Sequence, residues 1–267
     1  MSERVRVDCD GSVARVTLTR GDRHNGVDLA MVSGVRAAAR NLRRDRNVRA
    51  VILKGDGPSF CAGLDVKSVL GKPGARLIGL AALCSPVRNR FQDWSLDWRE
   101  VPAPVIAAIH GNCFGAGLQL ALGADIRIAT PDAQISVMEA KWGLVPDMGG
   151  AVLLRELVPI DVAKELVMTG RILAGVEAQA LGLVTHVSAD PLAHAEALAA
   201  EIIARSPDSV AASKFLLQEA WSRNTYRALA AERKWQRRVI GRKNQGIAVQ
   251  RNLEQSDLPF APRRIGS

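Results

Sequence analysis

Two glycine-bearing turns carry the residue types best suited to chemistry in this chain. The first is Phe60-Cys61-Ala62-Gly63-Leu64-Asp65, and the second is His110-Gly111-Asn112-Cys113-Phe114-Gly115-Ala116-Gly117. Each follows an apolar, strand-like run, at 50–53 and at 105–109, and leads toward a helix-compatible segment. A small residue beside glycine lets the backbone approach a ligand closely and leaves its N–H unpaired. Two such N–H groups can hold one carbonyl oxygen while it gains negative charge, which suits an enzyme that acts on an acyl group.

Two carboxylates downstream of the second turn are candidates for proton transfer. Glu139 follows the strand-like segment 135–138, and Asp147 follows the turn at 141–146. An acid at the end of a buried strand, among Val, Met and Trp side chains, is desolvated, and its pKa rises toward the range of a general acid or base. The structural alternatives are a salt bridge between Glu139 and Lys141 and a helix N-cap at Asp147.

Other catalytic motifs do not fit the sequence. Leu120 stands where the third glycine of GxGxxG would be, and neither G-x-S-x-G nor GxxxxGK[ST] occurs. The four cysteines lack CxxC spacing and the four histidines do not pair with them at metal-site intervals, which argues against a metal site and a disulfide framework. Cys61 and Cys113 have no histidine and acid arranged as partners, so we interpret them as small buried residues rather than nucleophiles.

Length and composition indicate a globular enzyme with a sizeable core. The chain has 267 residues, of which 48% are hydrophobic and 24% charged. No apolar run approaches the roughly 20 residues needed to cross a bilayer, and the first six residues lack the apolar stretch of a secretory signal. We therefore expect a cytoplasmic protein without membrane contact.

The net charge of +9 suggests anionic partners. Arginines concentrate in 36–49, and further basic residues lie in 233–243. Phe and Tyr are few and no RNP-like aromatic strand occurs, so nucleic acid is the less favoured partner. Ordinary solvated helix faces explain most of these arginines, and a phosphorylated small molecule needs only a few of them.

Strands and helices alternate around the turns. Hydrophobic periodicity predicts two strands within 4–19 and further strands at 48–53, 105–109, 126–129, 135–137 and 183–187. Helices are predicted at 28–44, capped by Asp28, and from about 115 to 122. This alternation favours an α/β architecture with parallel pairing. From Pro191 onward strands vanish, and the pattern predicts helices at 191–205, 207–221 and 225–242.

The stretch 67–100 is less regular. Glycines and prolines interrupt it, yet it is too apolar for a free loop. A mobile lid over an apolar pocket and a plain pair of core helices are both compatible with this pattern.

The order and spacing of the motifs resemble the crotonase (enoyl-CoA hydratase/isomerase) superfamily. The matching segments run along nearly the whole chain, from 23–25 through 60–65, 109–117, 124–126, Glu139 with 143–146, and 149–150. The resemblance implies an α/β fold, a crotonase-type spiral of ββα turns over 1–190 with the CoA site and oxyanion hole. It also implies a C-terminal helical region, 191–267, used in a homotrimer or hexamer. The implied substrate is an acyl-CoA thioester, with no separate cofactor because coenzyme A is part of the substrate.

The resemblance also assigns roles by position. The family's two oxyanion-hole amides fall on Ala62 and Ala116, where they would stabilise the enolate of a thioester. The implied substrate- and CoA-binding residues are Gly63, Leu64, Asp65, Val66 and Gly115, with Arg23 as a candidate for the CoA phosphates.

One departure from the family pattern bears on the reaction. Family hydratases use two glutamates to activate water, and the first of these positions holds Gln119, whose neutral amide cannot act as a general base but can orient water or substrate. Isomerases need one base, which falls on Glu139. Dienoyl-CoA isomerases pair it with an aspartate at the Asp147 position, although they carry a further aspartate where Gln119 stands.

The sequence therefore favours double-bond isomerisation of an enoyl- or dienoyl-CoA, with Glu139 and Asp147 moving the proton. The alternatives that stay open are hydration by a single glutamate, thioester hydrolysis, and a basic RNA-binding or scaffolding protein with vestigial activity.

Overall fold

A six-stranded sheet organises the fold in the computed structural model, which describes residues 4–65, 74 and 81–266. The strand order is β1-β2-β3-β4-β6-β9, with β1 and β2 antiparallel and the other neighbours parallel. These strands are β1 (Val5–Asp10), β2 (Val13–Leu18), β3 (Ala50–Gly55), β4 (Val105–Ile109), β6 (Ile126–Ala129) and β9 (His186–Val187). The α/β architecture with parallel pairing is thereby confirmed.

The central strands are buried on both faces. In β3, Val51 and Leu53 belong to the main core together with residues of α1 (Leu29–Arg44). The alternate residues Ala50 and Ile52 belong to a second cluster that includes Ala195 and Ala199. Those alanines lie on α7 (Pro191–Ile203), so the first C-terminal helix covers one face of the sheet. Burial on both faces explains why these strands read as continuous apolar runs.

A second, smaller sheet lies next to the turns. Its order is β5-β7-β8, formed by Asn112–Phe114, Gln134–Ser136 and Leu173–Ala174. The remaining helices in the described part of the chain are α2 (Asp93–Leu96), α3 (Ala116–Leu122), α4 (Gly150–Leu154), α5 (Ile160–Thr169), α6 (Gly175–Ala180), α8 (Pro207–Ala220), α9 (Thr225–Val239) and α10 (Lys243–Glu254). Short 3-10 turns occupy Gly21–Arg23, Asp97–Glu100 and Glu139–Trp142.

Most predicted elements are present, with differences at their ends. The Asp28 cap is confirmed, because its side chain accepts a hydrogen bond from the Met31 N–H. The predicted strand at 48–53 begins at residue 50, and the one at 183–187 shrinks to two residues. Strands β5 and β8 have no sequence signal because runs of two or three residues are too short to show a period.

A buried lysine ties the C-terminal helices to the sheet region. The Lys214 ammonium of α8 lies 2.7 Å from the Asp125 carboxylate and donates to the carbonyls of Trp98 and Ala103. Burial lowers the pKa of Lys214, and the Asp125 carboxylate opposes that shift. A charge at this depth needs such partners, so the lysine fixes where α8 packs.

The end of the irregular stretch belongs to the core. Residues 66–73 and 75–80 lie outside the described part of the chain. The interpretation of this stretch as a lid depends on them, so it also lies outside the described residues. Trp94 and Trp98, in contrast, are fully buried within the main core. The segment 93–100 therefore fits the core-helix interpretation.

The same segment pairs with part of the arginine run. The Asp93 carboxylate accepts hydrogen bonds from Arg36 at 2.5 Å and from Arg40 at 3.1 Å. The Arg88 guanidinium binds Asp93 and lies 2.7 Å from Asp97. Arg36 and Arg40 are therefore partners of buried acids in the same chain, so part of the arginine run is already paired.

Trp94 provides a test of this packing. Replacing Trp94 with alanine removes a fully buried indole, and we expect the free energy of unfolding to fall by about 3–5 kcal/mol in urea titrations. Trp221 is 68% exposed and serves as the matched control. Trp221→Ala should change stability by no more than about 0.5 kcal/mol. Equal effects of the two substitutions would contradict the placement of Trp94.

Candidate active site

The two glycine-bearing turns lie side by side and are hydrogen-bonded to each other. The Cys61 N–H donates to the Asn112 carbonyl, and the Phe114 N–H donates to the Cys61 carbonyl, both at 3.0 Å. Gly63 has φ +88°, and a Cβ there would lie 2.7 Å from the Phe114 oxygen and 3.7 Å from the Ala116 nitrogen. Only glycine permits this conformation and this approach, so Gly63 sets how closely the turns meet.

The Ala62 amide is not free, which corrects its predicted role. Its N–H donates to the His24 carbonyl at 2.9 Å. An oxyanion-hole amide must have its N–H available to the substrate oxygen. Ala62 is therefore wrong as a donor, because a backbone partner from the segment preceding α1 already holds its hydrogen.

The neighbouring Leu64 amide has the required freedom. Val27 donates to the Gly63 carbonyl at 2.8 Å and accepts from the Asp65 N–H at 3.0 Å. In such a parallel bridge the residue between the two bonds directs its own N–H away from the partner segment. Within the described residues the Leu64 N–H has no acceptor. The resemblance implies Leu64 only as part of the CoA-binding segment, not as an oxyanion donor.

Ala116 keeps its predicted position. It is the first residue of α3, where an N–H has no intrahelical acceptor. Its N–H has no acceptor in the part of the chain that the structure describes. The candidate pair of oxyanion donors is therefore Leu64 and Ala116, one from each turn.

Glu139 lies against the second turn. It is 9% exposed, and its Oε1 accepts a hydrogen bond from Gln119 Nε2 at 2.6 Å. A Cβ on Gly115 would lie 3.2 Å from Oε1, and Gly115 itself has φ +48°. The glycine thus lets the backbone that precedes Ala116 approach the carboxylate.

The surroundings of Glu139 change the pKa of its carboxyl group. Burial raises the pKa of Glu139, and the negative charge of Asp147 acts in the same direction. The backbone N–H of Glu139 itself opposes this rise, and so does the hydrogen bond from Gln119, because both stabilise the carboxylate. A raised pKa brings a glutamate closer to the range in which it can both take and return a proton near neutral pH.

Asp147 lies in the loop that follows, between Gly143 and Gly149. The residue is exposed, although partial burial of its carboxyl group raises its pKa. Neither structural alternative is found among the described residues. Glu139 Oε1 is bound by Gln119 and Oε2 has no partner among the described residues, so Glu139 forms no salt bridge with Lys141 there. Helix α4 has Gly149 as its N-cap, without a side-chain cap bond.

A family comparison adds to this geometry. The family model described as Enoyl-CoA hydratase/isomerase matches residues 8–263. The chain belongs to this family. It is 36% identical to the enoyl-CoA hydratase domain-containing protein 2 of Bos taurus, over 76% of this chain and 68% of that protein. It is 34% identical to the enoyl-CoA hydratase EchA19 of Mycobacterium tuberculosis, over 72% of this chain and 71% of that protein.

Solved structures of the family share the fold. An enoyl-CoA hydratase from Bacillus anthracis superposes with a TM-score of 0.88 at 28% identity, covering 96% of this chain and 98% of that chain. The fold and the enzyme class implied by the resemblance are therefore confirmed. In the described residues we find no helix able to span a membrane and no cluster of three or more metal-ligating side chains.

The predicted substrate-binding residues of this family member divide into three groups. Gly63, Leu64 and Gly115 lie at the junction of the two turns. Asp65 pairs with the Arg20 guanidinium at 2.9 Å, and Val66 lies outside the described residues. Arg23 is an exposed side chain with Asp22 at 4.0 Å, next to the segment that holds Ala62.

Two supporting residues were not among the predicted site residues, although Asn25 lies in the segment 23–25 that matches the family. Asn25 is fully buried, and its Nδ2 donates to three carbonyls just before or within the first turn: those of Asp56, Ser59 and Phe60. The Trp94 indole N–H donates to the Ala116 carbonyl at 2.8 Å. Both side chains hold backbone groups of distant segments, and residue type and spacing alone do not predict these contacts.

The two turn cysteines are structural. Burial raises the pKa of the Cys61 thiol to about 12, and it raises the pKa of Cys113 well above its usual range. Neither is a thiolate at neutral pH, which supports their interpretation as small buried residues.

The raised pKa of Glu139 predicts a pH-dependent effect on stability. A glutamate whose pKa is higher in the folded than in the unfolded state reduces stability as pH rises from its usual value through the folded value. Glu139→Gln removes this dependence, so the stability of the variant relative to the native protein should increase between pH 4.5 and pH 8. Urea unfolding at both pH values measures this difference. Glu201→Gln, at an exposed position, is the control and should show no such trend; a constant difference for Glu139→Gln would contradict the raised pKa.

Proposed function

We propose that this protein shifts a double bond in an enoyl- or dienoyl-CoA thioester, with Glu139 as the group that moves the proton. The observation that carries the proposal is the pair formed by Glu139 and Gln119 at the second turn. Of these two facing side chains only the glutamate can accept a proton, because the other is an amide. A 1,3-shift of hydrogen needs one base that takes the proton and later returns it.

The thioester oxygen would be held by the amides of Leu64 and Ala116. Removing a proton beside the thioester places negative charge on that oxygen, and each such donor typically lowers the barrier by about 3–4 kcal/mol. A Cβ on Gly115 would lie 3.2 Å from Glu139 Oε1, so the proposed base lies beside the residue that precedes the proposed oxyanion donor Ala116. No cofactor is needed in this scheme because coenzyme A is part of the substrate, and Arg23 is the candidate partner of its phosphates.

Asp147 is proposed to serve dienoyl-CoA substrates. Moving a proton along a longer conjugated system favours a second acid further along the acyl chain. Asp147 acts electrostatically on Glu139 and has a raised pKa of its own. Assembly into a homotrimer or hexamer through the C-terminal helical region is part of the same proposal.

Hydration of a 2-enoyl-CoA is the second candidate. It is supported by relatives that are named as hydratases. One is a human methylglutaconyl-CoA hydratase, which is 31% identical over 78% of this chain and 61% of that protein. Glu139 would then act alone on a water molecule. A nucleic-acid role has less support, because Arg36, Arg40 and Arg88 pair with buried acids.

Substrate assays of Glu139→Gln test the leading proposal. On 3-enoyl- and 3,5-dienoyl-CoA we expect the native protein to isomerise the double bond, and the variant to lose about 10²- to 10⁴-fold in kcat with little change in KM. The amide keeps the shape of the side chain but cannot take the proton. Rapid hydration of 2-enoyl-CoA that is unchanged in Glu139→Gln would contradict the isomerase assignment.

Asp147→Asn tests the role of the second acid. We expect at least about a tenfold loss of kcat on a 3,5-dienoyl-CoA and a much smaller loss on a 3-enoyl-CoA, because only the longer system needs the second proton-transfer group. The two substrates, assayed side by side, act as each other's control. Equal losses on both would remove Asp147 from the proton path.

A further inference from the structure

The amide of Gln119 is fixed in one orientation by its surroundings. Its side-chain oxygen accepts the N–H groups of Met148 and Gly150, each at 2.9 Å. An amide rotated by half a turn would place its NH₂ group against these two N–H donors. The NH₂ group must therefore face Glu139, where it donates to Oε1.

This orientation makes the two oxygens of Glu139 unequal. Oε1 is held at 2.6 Å by Gln119 Nε2. Oε2 is buried and has no hydrogen-bond partner among the described residues. Buried acceptors normally find a partner, and the exceptions call for an explanation such as a functional role.

We propose that Gln119 is a positioning residue, which holds Glu139 through Oε1 so that Oε2 alone takes and returns the proton. The inference rests on the proposed isomerase function and names the atom that performs it. Gln119 itself does not exchange a proton with the substrate.

The proton steps balance on Oε2. In a 3-enoyl-CoA, Oε2 removes a proton from C2; the C–H bond breaks, an O–H bond forms, and the electron pair moves into the thioester enolate. The proton then passes from Oε2 to C4, where a C–H bond forms. The electrons return to the thioester carbonyl and leave a double bond between C2 and C3, and Glu139 is again a carboxylate.

A glutamate at position 119 would change this arrangement without disturbing its backbone contacts. One carboxylate oxygen could still accept from Met148 and Gly150. The other would face Glu139 Oε1 at about the present distance of 2.6 Å. Two carboxylates this close cannot both ionise readily, so they would share a proton. The charged group that already acts on Glu139 is Asp147, from the loop before α4.

The experiment compares Gln119→Glu with Gln119→Leu. Both remove the N–H donor to Glu139, and only the leucine also leaves the backbone N–H groups of Met148 and Gly150 unpaired. The Glu139 carboxyl is titrated in substrate-free protein by infrared difference spectroscopy, with Glu139→Gln in the same background as the blank. We expect Gln119→Leu to raise the titration midpoint by about one pH unit, since a hydrogen bond to a charged group is lost. Gln119→Glu should raise it at least as far, because the second carboxylate adds a like charge beside Glu139.

Kinetics provide the second readout. The rising limb of the kcat/KM profile for 3-enoyl-CoA should move to higher pH by the same amount, with kcat at neutral pH reduced about tenfold and KM little changed. Gln250→Leu is the matched control because Gln250 also donates to a glutamate, Glu254, on the exposed face of α10. This control should titrate and react like the native protein.

The possible results separate a positioning role from a structural one and from failure of the proposed function. An unchanged midpoint in Gln119→Glu would overturn the inference, as would a shift seen with leucine only, which indicates a structural role. If Gln119→Leu does not fold, Gln119→Glu decides alone. If the native protein lacks isomerase activity but the Gln119 variants show the expected infrared shift, the proposed function is refuted. The positioning of Glu139 by Gln119 would still be supported.

Discussion

The backbone hydrogen bonds between Cys61 and the segment 112–114 are the constraint on which the site depends. They hold the two turns side by side, so that an amide from each can face one substrate oxygen. Asn25 fixes the backbone before the first turn, and the Trp94 indole holds Ala116. Buried contacts of this kind keep the donors in place before substrate arrives, which is what electrostatic stabilisation of an oxyanion requires.

Gln119 connects the second turn to the acids. It lies on α3, one turn of helix after Ala116, and reaches both the Glu139 carboxylate and the backbone before α4. The candidate oxyanion donor, the proposed base and the loop that carries Asp147 are thus joined through one buried side chain. An amide can make these contacts in both directions because it is donor and acceptor at once, whereas a carboxylate only accepts.

Several elements could be predicted from the sequence because their cause is local. The Asp28 cap, the apolar runs of β3 and β4, and helix-opening prolines at 191 and 207 act over a few residues. The role of Ala62 was wrong for the opposite reason. Its N–H is taken by His24, a residue distant in sequence, and no local pattern distinguishes that amide from the one at Leu64.

The sequence by itself determined the family, the α/β architecture and the two turns, because glycine positions and apolar periodicity are readable from residue type. It also singled out Gln119, Glu139 and Asp147 as candidate site residues, of which the structure brings Gln119 and Glu139 into hydrogen-bond contact. Tertiary structure decided which amides are free, which arginines are already paired, and which oxygen of Glu139 is held. Those properties depend on hydrogen bonds between segments far apart in the chain, and only folding brings such segments within bonding distance.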